Sequence, residues 1–207
     1  MSLIKALKPD PEAKWRKGGW RPRLAFRTSG FGGEPLTLTL RLPLEWMTCD
    51  FLALPAEVTA VKPKPGSLAE AMMSIATVAD RSGAITVQGM VRPVELEGRP
   101  DFYLLLTMTV ALAQLPGPAP QSIPDAEVRP VEFKDEGGAY RGTRIRQIRS
   151  REFLPGQPAV SFLTVQFMLE TGHGWLVITF ATPQADLFTQ TESMFDKIAE
   201  MCRLEAR

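Results

Sequence analysis

The chain has 207 residues, of which 44% are hydrophobic and 23% charged, with a formal net charge of +1. That length and apolar content suffice for one packed domain, and the near-neutral balance supplies no global field toward nucleic acid or acidic lipid. Two distant cysteines, Cys49 and Cys202, exclude a disulfide framework and a zinc signature, leave room for at most one long-range bridge, and favour a reducing compartment.

The charge is unevenly spread. Residues 1–27 carry Lys5, Lys8, Lys14, Arg16, Lys17, Arg21, Arg23 and Arg27 against Asp10 and Glu12, so a basic segment precedes a net acidic body. Prolines 9, 11 and 22 and the glycines at 18, 19, 30, 32 and 33 mark residues 1–33 as a tryptophan-containing arm, with a short helix near 10–16 capped by Asp10 and Pro11. The Lys/Arg/Pro-rich start lacks the apolar core of a secretory signal. Residues 34–207 are expected to form a single domain.

Within that domain, Leu36, Leu38, Leu40 and Leu42 alternate with Thr37, Thr39 and Arg41, which predicts a half-buried strand ended by Pro43, with Trp46 in the following bend. A second short strand is expected at 58–61. Ser67 and Glu70 then form a capping box, and Leu68, Met72, Ile75, Ala76 and Ala79 give a helical face that Gly83 terminates. Residues 85–96 and 102–115 read as a hairpin. Its second strand carries apolar residues on both faces, as a strand covered on both sides does. The same stretch, 102–115, is too short to cross a bilayer, which takes ~20 residues, so no transmembrane segment is expected.

Prolines 116, 118, 120 and 124 mark a loop or crossover near 116–127. Beyond it the sequence predicts strands at 140–153, 160–169 and 175–182, with turns at 155–158 and 171–174. A helix beginning at Thr182-Pro183 follows, with Leu187, Phe188, Met194, Phe195, Ile198, Met201 and Cys202 on one face.

Reactive chemistry is sparse. His173 is the only histidine, set in a turn beside Glu170 and Thr171 with no nucleophile near it in sequence, and it reads as a solvent-exposed turn residue. Asp135-Glu136-Gly137-Gly138 lacks the spacing of a calcium loop and reads as a hairpin turn. Gly30-Phe31-Gly32-Gly33 precedes a strand rather than the helix that a phosphate cradle needs. No catalytic residue, cofactor or metal is expected.

Two patterns remain as candidate binding residues. Arg144, Arg146, Arg149 and Arg151 share one strand, but the step from 146 to 149 is odd. Either a bulge brings all four to one face, or the two pairs face opposite sides. On one face they would suit phosphates or carboxylates; otherwise they are charge that protects a sheet edge. Trp15 and Trp20 alternate with basic residues, a pattern suited to docking into a protein groove or stacking on single-stranded nucleic acid. The net acidic body disfavours nucleic acid.

The segments Tyr140-Arg141-Gly142-Thr143-Arg144, Leu163-Thr164-Val165-Gln166-Phe167, Trp175 to Pro183 and Phe195-Asp196-Lys197-Ile198, with Leu42-Pro43-Leu44-Glu45-Trp46, resemble the Mog/PsbP-like group of α/β/α sandwich proteins. The likeness spans 36–46 and 140–204, about a third of the chain, and consists of packing motifs. It implies an α+β fold, an antiparallel sheet of six or seven strands flanked by helices on both faces. The group includes photosystem accessory proteins, a nuclear-transport cofactor and Eag-type chaperones that shield apolar helices of type VI secretion effectors. The resulting expectation is a cytoplasmic, non-enzymatic adaptor or chaperone for a protein client, in a bacterial secretion system. The alternative is a ligand- or nucleic-acid-binding module using the arginine strand and the tryptophan arm. An apolar client groove would equally serve homodimerisation.

Overall fold

The computed structural model describes residues 19–53, 83–96, 99–135, 138–151, 160–185 and 192–206. The short helix near 10–16, the strand at 58–61, the helix from Ser67 and Trp15 lie outside them. Two antiparallel sheets are built from β1 (Leu24–Ser29), β2 (Pro35–Leu40), β3 (Met47–Asp50), β4 (Ala84–Leu96), β5 (Arg99–Ala113), β6 (Ala126–Asp135), β7 (Gly138–Arg151), β8 (Val160–Thr171), β9 (Gly174–Thr182) and β10 (Arg203–Ala206). The large sheet runs β3-β4-β5-β9-β8-β7-β6 and the small one β1-β2-β10. Among the described residues lie the helix α1 (Glu192–Glu200) and a short 3-10 turn, Phe51–Ala53.

The expectation of helices on both faces is therefore corrected. One face of the large sheet is covered by α1 together with the small sheet, a sheet-on-sheet arrangement. The reason lies in the chain's two ends. Leu24 and Phe26 alternate with exposed Ala25 and Arg27, so residues read as arm form β1. Residues 203–206 leave α1 and pair with β2.

All three layers share one core. Leu36, Leu38 and Leu40 of β2 meet Leu104, Leu106, Met108 and Val110 of β5, Ile178 and Phe180 of β9, and Phe195 and Ile198 of α1. Phe180 and Phe195 stack at 4.6 Å with planes 7° apart, and Phe167 meets Phe180 edge-on. The other face of β5, with Leu105, Thr107, Thr109 and Ala111, is half-buried. Part of that face is sealed by Phe51, whose ring lies where a side chain at Gly89 would stand.

The last turn of α1 is closed by Arg203, which donates to the carbonyl oxygens of Glu200 and Cys202 and lies over the Tyr140 ring. Replacing Phe195 with alanine is expected to cost about 3–5 kcal/mol, because it removes both a buried ring and its stacked partner contact. Chemical denaturation of the variant checks this.

Candidate functional site

Strand β7 is an interior strand, paired with β6 on one side and β8 on the other. Charge at a sheet edge therefore does not account for its arginines; that protection falls to β6, where Glu127, Arg129, Pro130, Glu132 and Lys134 occupy the open edge. The register of β7 with β8 runs unbroken from Gly142 to Arg151. Without a bulge the two arginine pairs face opposite sides. Arg144 and Arg146 stand beside Phe167 and Val165 on the core face, and Arg149 is exposed on the other. Arg151 pairs with Val160 at the far end of β7.

The inward pair is committed to α1. Arg144, 3% exposed, bonds Asp196 at 2.9 Å and Glu192 at 2.7 Å, with its guanidinium over the Phe167 ring. Arg146 reaches the other Glu192 oxygen at 2.8 Å, and Arg129 of β6 reaches Asp196 at 3.0 Å. Three arginines thus share two carboxylates spaced four residues apart on one helix face. The spacing of Glu192 and Asp196 was the available sequence signal, but nothing local linked it to β7.

Trp20 lies partly buried against the core and bridges Pro43, so the described part of the arm lies along the chain after β2. Arg21 reinforces this by donating to the Trp46 carbonyl at 2.6 Å. Close by, Arg92 pairs with Glu45 at 2.8 Å.

His173 is half-buried rather than exposed. Its Nδ1 lies 3.1 Å from Glu34 Oε1, which ties the β8–β9 turn to the β1–β2 loop. The Glu34 carboxyl is held below its usual range, first by its own backbone N–H and then by His173. Burial pushes the Cys202 thiol up to about 12. Cys49 is half-buried.

On the face opposite the core, the proline-rich segment and the ends of β6 to β9 enclose a groove of about 460 Å³. Pro118, Val128, Pro130 and Trp175 supply apolar walls, with Arg141 and Glu170 as charged margins. Arg141 is well exposed and pairs loosely with Glu132 at 3.3 Å. Among the described residues no three His, Cys, Asp or Glu side chains converge on a metal-sized site, and no helix is long and apolar enough to cross a membrane.

Arg144→Leu is expected to destabilise the fold by about 1.5–3 kcal/mol, because Glu192 and Asp196 each lose their most buried charge-assisted bond and keep only Arg146 and Arg129. Arg129→Ala, at a half-exposed pair, should cost ~1 kcal/mol or less. Urea denaturation of both variants compares them. For the thiols, Cys49 should react with a disulfide reagent in the native protein, and Cys202 only on unfolding. With its folded pKa raised, Cys202 contributes stability that is present below its ordinary pKa and lost as pH rises from that value toward about 12. Cys202→Ala should flatten this alkaline limb in melts recorded against pH.

No protein-family model matches the chain, and no curated protein does. Among solved structures, cyanobacterial PsbP (CyanoP) from Synechocystis sp. PCC 6803 is similar at 14% identity, over 92% of this chain and 94% of that one, with a TM-score of 0.34. A likeness this loose fixes neither the strand order nor the activity.

Proposed function

We propose that this chain is a non-enzymatic, cytoplasmic protein-binding adaptor or chaperone that holds a segment of a client protein in the groove beside Trp175. The groove carries the reading. It is open, walled by a tryptophan and two prolines, and bordered by opposite charges at Arg141 and Glu170. Rigid apolar walls with a polar rim suit side chains of a peptide better than a small polar metabolite. Pro130 and the alternating charges of β6 discourage strand addition at the neighbouring edge, so recognition would run through side chains. The secretion-system client is the choice suggested by the resemblance of residues 36–46 and 140–204 to the Mog/PsbP-like group, whose members include effector chaperones.

The ligand- or nucleic-acid-binding alternative loses much of its charge, since Arg144 and Arg146 are matched by carboxylates of α1. It would rest on Arg149, Arg151 and the segment around Trp15 and Trp20.

Tagged protein purified from its source cells should carry a stoichiometric protein partner, read by mass spectrometry and light scattering. Trp175→Ala should lose that partner while keeping its melting temperature. A clean monomer or homodimer from the unaltered chain would overturn the adaptor reading.

A further inference from the structure

Four strands stand at the edges of the two sheets, and three of them are guarded. β3 and β10 are only four residues long, and β6 carries Pro130 among charges of both signs. β1 is the exception. It pairs with β2 in unbroken register over six residues, contains no proline, and has no strand on its other side among the described residues. Pro35 has no N–H, so Ser29 and Pro35 cannot exchange a pair of hydrogen bonds. Alternation then bonds Thr28 to Leu36, Phe26 to Leu38 and Leu24 to Leu40, in step with the Gly30 N–H that donates to the Glu34 carbonyl at 2.8 Å. The N–H and C=O groups of Ala25, Arg27 and Ser29 therefore turn away from β2 toward the free edge, and all three residues are exposed.

The side chains along this edge are unfinished on both faces. On the inner face Leu24 and Phe26 remain half-buried, whereas Leu36, Leu38 and Leu40 beside them on β2 are at most 1% exposed. A further strand would cover that remaining apolar surface. On the outer face the charge has one sign. Arg27 is exposed within β1 and Arg23 just before it, about 13 Å away along an extended chain. Neither forms an ion pair among the described residues. Acids of the neighbouring segments are already taken: Glu34 by His173, Glu45 by Arg92, and Asp50 by the Leu52 N–H and the Thr86 hydroxyl. Like charge turns away a second copy of β1 or any basic strand, and leaves an acidic strand as the complement.

We infer that the free edge of β1 takes an extended acidic segment of a partner protein as a fourth strand of the small sheet. The segment's backbone exchanges hydrogen bonds with Ala25 and Arg27. Two acids four residues apart stand opposite Arg27 and Arg23, and apolar residues between them lie beside Phe26 and Leu24. Main-chain bonds supply the affinity, and the charges and alternate side chains select the partner. This edge is separate from the Trp175 groove and stands or falls independently of the adaptor reading.

The test is a titration of the full chain with the peptide Thr-Glu-Val-Thr-Val-Glu-Thr, blocked at both ends, followed by amide NMR shifts and hydrogen exchange. The Ala25 and Arg27 amides should shift saturably and exchange more slowly, because peptide carbonyls replace water. Exchange at Phe26, already bonded to β2, should change little. The same peptide with lysines in place of its glutamates should not bind. Arg27→Glu should weaken binding of the acidic peptide about tenfold and admit the lysine peptide instead. Ala25→Pro removes one outward N–H and no bond of the β1–β2 ladder, so it should keep the melting temperature and lose the peptide. If Ala25→Pro fails to fold, Arg27→Glu carries the test alone. Lys134→Gln, a charge loss on the β6 edge of the large sheet, should leave binding unchanged. No saturable shift overturns the site, as does unslowed exchange at Ala25 and Arg27, or binding that is equal for both peptides or unaltered in Arg27→Glu. Light scattering that finds the unaltered chain dimeric and Ala25→Pro monomeric assigns the edge to a second copy and overturns the acidic partner.

Discussion

The buried guanidinium of Arg144 fixes the arrangement on which the core depends. An arginine placed among phenylalanines on the inner face of a sheet is costly unless its charge is met, and here Glu192 and Asp196 meet it from one helix. The contact sets the rotation of α1 as well as its distance. With those carboxylates held against β7, Phe195 is turned onto Phe180 and Ile198 into the leucines of β2. Apolar packing alone would tolerate several rotations of a short helix on a broad sheet. Opposed charges in a low-dielectric layer tolerate far fewer.

The molecule handles its arginines in three ways. On the inner face of β7 they are matched and structural. Along β6 the exposed Arg129 and Lys134 alternate with acids, which leaves an edge strand unattractive to other strands. On the outer face of the small sheet Arg23, Arg27 and Arg41 form no ion pair among the described residues. Net charge reveals none of this division, because each set is small and the acids that answer it lie on other elements. The groove beside Trp175 occupies yet another surface.

Much of the meander was legible from residue patterning. The alternation of leucines in β2, the turn at 171–174 and the apolar face around Phe195 and Ile198 all correspond to observed elements. These are local signals, and local periodicity reports them well. The small sheet was not legible as a sheet. Leu24 and Phe26 sit in a run dominated by basic residues, and 203–206 continue a helical pattern until Arg203 closes the helix. The roles of Arg144 and Arg146 were hidden for a similar reason. Their position on one strand is a sequence fact, whereas their partners are some fifty residues away on another element. His173 was misjudged on the same grounds, because its partner Glu34 comes from the opposite end of the chain.

The pairing of β2 with β10 has a consequence for the order of folding. β2 lies between β1, its immediate neighbour in sequence, and β10, made from the end of the described chain. The β1–β2 hairpin can close at once, but its second edge has no partner until the large sheet and α1 have been made. During synthesis that edge stays bare for most of the chain's length, and a contact of such long sequence separation is entropically late in refolding as well. The same interval leaves a leucine-lined strand open to the wrong neighbour, including another copy of itself. Crowded or fast expression would therefore be expected to penalise this protein at the small sheet first.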